Sequence, residues 1–166
     1  MRTAHRFGAL ALGAGAVLAL TTPAGASDHD NLHGTFETTA AGAAAGYRIS
    51  GEAKLTVGSD GTVADVNIAG LAAGTHYGSH LHDGTCASGG GGHYQDAPGG
   101  ATTPPNELWL TTSDDVTGGV DPNPGGVAHA TGAAAWEARL TSSGTNARSI
   151  VVHAPGGARI ACADLD

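Results

Sequence analysis

The chain of 166 residues predicts an all-β fold, an eight-stranded sandwich or barrel. Three observations lead there. Apolar and polar residues alternate in short runs, the period of a strand with one buried face. Gly, Asp, Asn and Pro punctuate those runs. No long stretch repeats apolar residues at helical spacing.

Residues 1–26 precede the domain. Arg2 and Arg6 give a positive start, Phe7 to Leu20 is an uncharged apolar run, and Ala24-Gly25-Ala26 is a small-residue cleavage site. That composition predicts a secretory signal peptide. The run is too short to span a bilayer, and no second one suggests a membrane anchor. Residues 27–166 are then one exported domain, secreted or held at the cell envelope. Its 140 residues suffice for one core.

The expected strands are about 33–39, 47–57, 62–69, 78–83, 107–112, 127–140, 148–153 and 158–164. The clearest pair is Glu52–Val57 returning as Thr62–Ile68, because Gly58-Ser59-Asp60-Gly61 tolerates a tight turn. The strand at 78–83 carries His80-Leu81-His82, and that at 107–112 carries Leu108-Trp109-Leu110. Ala128-His129-Ala130 alternates within 127–140, while Ile150-Val151-Val152 reads as a buried strand. Gly/Ala-rich 40–46 and Asp/Pro/Gly-rich 114–126 read as loops.

Charge and cysteines narrow the function. Beyond the leader, five basic side chains face fifteen acidic ones, a net charge of −10, which excludes nucleic acid as a partner. In an oxidising compartment two cysteines most simply form one intrachain disulfide, Cys86 to Cys162. Closing so long a loop stabilises by roughly 4.5 kcal/mol in the chain-entropy treatment. The Gly-rich segment after Cys86 needs such a tether, since it cannot build a core of its own.

Four histidines sit beside those cysteines. His80 and His82, two apart on a strand, share one face. His93 closes a Gly-rich loop, and His153 ends the Ile150-Val151-Val152 run. A lone His-x-His is weak, but four neutral imidazoles from separate segments suit copper, whose oxidised form favours tetragonal nitrogen coordination.

The segments around them resemble the signatures of the copper/zinc superoxide dismutase family. One is Gly78-Ser79-His80-Leu81-His82 leading to Cys86. The other is Arg148-Ser149-Ile150-Val151-Val152-His153 followed by Gly156-Gly157-Ala158-Arg159-Ile160-Ala161-Cys162. The resemblance implies a Greek-key β-sandwich. It implies copper on His80, His82, His93 and His153, a Cys86–Cys162 disulfide, and superoxide as substrate. Arg159, guiding that anion, and His93 would be the catalytic residues.

Two departures stand out. Family members follow the equivalent of His93 with zinc-binding histidines, whereas no histidine lies between His93 and His129. They also carry a long charged loop before the arginine, whereas only Ala154 to Ala158 intervene here. The chain therefore resembles the copper-only branch, with zinc expected to be absent. The second nitrogen of His93 would then need a protein acceptor, for which Glu107 is the first candidate and Asp96 the second.

Other residues carry weaker readings. Cleavage after Ala26 would expose Ser27-Asp28-His29, whose nitrogens suit copper(II), although a chance histidine in an Asp/His-rich tail explains it as well. His33 would begin the first strand, His76 would bond near its loop, and His129 would sit on a strand face. Trp109 and Trp136 would pack the sandwich. Beside the dismutase stand two alternatives: an exported copper-binding or copper-delivery protein with little turnover, and a non-catalytic β-sandwich module without metal.

Overall fold

The computed structural model describes residues 29–112, 118–140 and 146–166. The expected leader and Ser27-Asp28 lie outside the described residues. Two antiparallel four-stranded sheets carry the fold. In the first, β1 (His29–Thr35), β3 (Ser50–Gly58), β4 (Gly61–Ala69) and β6 (Val127–Ala134) pair in that order. In the second the order is β2 (Glu37–Thr38), β8 (Arg159–Asp164), β7 (Ser149–His153) and β5 (Gly78–His82). The sheets form two separate ladders rather than a closed barrel.

Alternation explains why these segments pair face to face. Ala53, Leu55 and Val57 of β3 and Ala64, Val66 and Ile68 of β4 are buried, while Val63 between them is 48% exposed. Leu81, Ile150, Val152 and Ile160 supply the second sheet's share of the same core. The β3–β4 hairpin forms as expected, with Val57 opposite Thr62 and Gly58 opposite Gly61. Gly61 has φ 131°, and a Cβ there would stand 2.3 Å from the Ala134 carbonyl oxygen. Only glycine suits that corner.

Four expectations need correction. The single strand at 33–39 is two: the chain leaves the first sheet after β1, buries Phe36, and enters the second as β2. His33 accordingly lies within β1 rather than at its start. The stretch at 40–46 is not all loop, because Ala40–Ala44 forms a short helix, α1. The Thr39 hydroxyl accepts from the Gly42 N–H at 3.0 Å, supplying an N-cap. A Cβ on Gly42 would stand 2.2 Å from the Ile160 carbonyl oxygen, so α1 lies close on β8.

The segment at 107–112 is not a regular strand. Leu108 O accepts from Leu81 N, and Leu110 N donates to Ser79 O, both on β5, whereas Thr111 exchanges hydrogen bonds with Thr131 of β6. One extended segment thus crosses from the edge of one sheet to the other, burying Leu108 and Leu110. The run at 127–140 likewise ends as a strand at Ala134. Beyond it, Thr62 donates its hydroxyl to Trp136 O and accepts from Ala138 N, which turns the chain away from the ladder.

Cys86 and Cys162 form the expected disulfide with a Cα–Cα distance of 5.6 Å. It ties a 3₁₀ turn, Cys86–Ser88, to β8. Among the described residues, no helix is long and apolar enough to cross a membrane.

Candidate metal centre

Strand alternation builds the site on the outer face of the second sheet. Leu81 enters the core, so His80 and His82 point the other way. His153 faces Gly78 across the β5–β7 ladder, and a register shift between Val152 and His153 kinks the strand there. His93 arrives from the loop by bridging to His82, while Tyr94 N donates to Leu81 O at 2.8 Å. The result is a cluster in which one ligand atom from each of His80, His82, His93 and His153 lies within 4.8 Å of the others. These four side chains could hold a metal ion.

The ring nitrogens turned away from the cluster show how each imidazole is oriented. His82 Nδ1 donates to Gly90 O at 3.2 Å, and His153 Nδ1 donates to Gly157 O at 3.2 Å. His93 Nδ1 donates to Glu107 Oε2 at 2.7 Å. Each bond fixes the hydrogen on Nδ1 and leaves the Nε2 lone pair free. Nε2 of His82 and Nε2 of His153 stand 3.2 Å apart. His80 differs: its Nδ1 is buried without a hydrogen-bond partner. A buried polar atom left unpaired costs about 1–3 kcal/mol, and a metal ion would satisfy it. The donor set therefore fits a metal.

Electrostatics point the same way. Burial, followed by the neighbouring His93 and His153, pushes His80 down to about 3. His82 is also pushed down to about 3, by burial first and then by His93, His153 and Arg159. Burial lowers His153 too. At neutral pH these imidazoles are unprotonated, the form that ligates.

Glu107 is 2% exposed, deep beneath His93. Burial alone would raise its pKa, but hydrogen bonds from Trp109, Gln95 and His93 outweigh it and hold the carboxyl below its ordinary value. Trp109 Nε1 donates to Oε2 at 2.9 Å and Gln95 Nε2 to Oε1 at 3.0 Å. Asp96 makes no such contact; its carboxylate lies 3.6 Å from Arg139. Sequence reasoning missed Gln95 and the polar role of Trp109, whose ring also lies 4.9 Å from that of His80. Trp136 does pack, its ring centroid 5.4 Å from that of Tyr94.

Arg159 projects from the start of β8 into an open cleft of about 850 Å³ shared with His76, His80, His93 and His153. Its guanidinium donates through Nη1 to Gly89 O and through Nη2 to Gly91 O, the latter at 2.7 Å. The remaining histidines lie apart from the four. His29 is near Asp60, His76 pairs with Asp121 at 3.1 Å, and His129 pairs with Asp65 at 3.0 Å. The suggested amino-terminal copper site requires Ser27 and Asp28, which lie outside the described residues. No protein-family model matches the sequence, and no curated protein matches it.

Proposed function

We propose that the protein is an exported copper-dependent superoxide dismutase with a Greek-key sandwich, active without zinc. One observation carries the proposal: four histidines, three of them anchored through Nδ1 and the fourth with an orphaned Nδ1, converge beside a cleft edged by Arg159. Copper is favoured over other divalent ions by a set of nitrogen donors without thiolate or carboxylate. The dismutase-like sequence segments and the leader at 1–26 support the same reading.

Dismutation converts two superoxide ions and two protons into oxygen and hydrogen peroxide, and copper supplies two oxidation states one electron apart. The chain's own residues do the rest. His80, His82, His93 and His153 hold the ion. Glu107 keeps the His93 ring neutral and its Nε2 directed at the cluster by accepting the Nδ1 hydrogen. That bond uses the ring nitrogen that a neighbouring zinc would need. Arg159 brings a permanent positive charge to the cleft and so favours a small anion there, despite the acidic whole.

A copper-binding or copper-delivery protein is the second reading. It is favoured by the engagement of both terminal nitrogens of Arg159 with loop carbonyls, and by a net charge that repels anions. Metal analysis of protein purified with copper should give about one copper per chain and little zinc. Superoxide consumption then separates the readings: wild type should be fast and His153→Ala slow. A wild-type rate no greater than buffer alone would overturn the dismutase and leave copper binding.

A further inference from the structure

We propose that Arg159 is a positioning residue for His82, acting through the backbone of Gly89–Gly91. The idea rests on the four-histidine metal site but requires no particular reaction there. The guanidinium grips the carbonyls of Gly89 and Gly91. The carbonyl between them, that of Gly90, accepts the His82 Nδ1 hydrogen. Gly89, Gly90 and Gly91 have φ of 77°, 86° and 65°, three consecutive left-handed residues. Glycine adopts that conformation readily but loses much freedom in keeping it. Nothing in such a run by itself aims the middle carbonyl at a ring nitrogen.

Other tethers act on neighbouring parts of the loop. The disulfide and the Cys86 N to Asp164 Oδ1 bond of 2.7 Å hold its beginning. Asp83 Oδ1 accepts from Gly92 N at 2.6 Å beyond it. Arg159 acts at the two peptides that flank the His82 contact. The loop is also seated tightly there, since a Cβ on Gly90 would lie 2.8 Å from Val151 Cγ2. A planar guanidinium can bridge two carbonyls at once, whereas a lysine ammonium is a flexible point charge. Charge and positioning can therefore be separated by one substitution.

The test compares wild type with Arg159→Lys, Arg159→Met and Gly90→Ala, each verified by mass to retain the disulfide. Copper(II) affinity is measured by competition with a chelator, and the bound ion is characterised by electron paramagnetic resonance. Proton NMR of the metal-free proteins reads the His82 Nδ1–H resonance. The expected result is a loss of about 10- to 100-fold in copper affinity for all three variants, the range for residues that orient metal ligands. An altered copper spectrum and fast exchange of the His82 N–H should accompany it. If Arg159→Lys matches wild type in affinity, spectrum and N–H protection, Arg159 supplies charge alone and the proposal is overturned. Gly90→Ala and Arg159→Met keep the question decidable should the lysine variant not fold. A wild type that binds no copper would instead overturn the metal-site reading.

Discussion

Replacing Glu107 by Gln keeps nearly the same shape and removes one charge from beneath His93, so its consequences follow from three distances. The carboxylate accepts from His93 at 2.7 Å, Trp109 at 2.9 Å and Gln95 at 3.0 Å. If the new amide oxygen stays with His93 and Trp109, its NH₂ must face the Gln95 NH₂, donor against donor. Gln95 cannot turn over freely, because its Oε1 accepts from Gly99 N at 2.9 Å. One buried donor is thus unsatisfied, at about 1–3 kcal/mol, and two charge-assisted bonds become ordinary ones. The metal-free variant should melt lower by about 2–4 °C for each kcal/mol. Copper affinity should fall about 10- to 100-fold, equivalent to roughly 1.4–2.7 kcal/mol. Chelator competition and calorimetry measure the two effects. Unchanged copper affinity together with an unchanged melting temperature would refute the assigned role of Glu107.

The metal-free protein should lose stability in mild acid. His80 and His82 have folded pKa values near 3 against about 6.5 unfolded, so below pH 6.5 the unfolded chain binds more protons. Stability from these groups is intact above pH 6.5 and declines as pH falls towards 3. Between pH 7 and pH 5 the loss should be about 2–4 kcal/mol, and a urea midpoint that stays flat over that interval would contradict it. Replacing Cys86 and Cys162 together by Ser should cost about 4.5 kcal/mol in urea unfolding, because the 76-residue separation is no longer closed. A double variant as stable as wild type would show that the bridge does not constrain the unfolded chain.

Local signals are what the sequence makes legible. The Gly58–Gly61 turn and the alternation in β3 and β4 are readable because both depend on near neighbours. The shared face of His80 and His82 follows from strand geometry alone. The carboxylate under His93 is harder, since chemistry demands an acceptor without saying which; Glu107 rather than Asp96 occupies that place because Arg139 engages Asp96. What stays hidden depends on tertiary context. Residues 107–112 look like a strand but divide their hydrogen bonds between two sheets. The helix α1 needs Gly42 to lie against Ile160, a contact 118 positions away in the chain. Gln95 and Trp109 carry no motif that marks them as donors to a buried carboxylate.

The β7–β8 hairpin gives the site an order in time. His153, Arg159 and Cys162 fall within ten consecutive positions, whereas their partners His80, His82, Cys86 and His93 are synthesised some sixty residues earlier. A growing or translocating chain therefore displays three of the histidines long before it can complete the set. During that interval a stray ion could capture an incomplete trio, and Cys86 has no partner within its own chain. Completion arrives in one event, when the hairpin docks beside β5 and delivers the last ligand, the loop clamp and the second sulfur together. Delaying release of those last residues should stall all three, so trapped nascent chains would make that dependence visible.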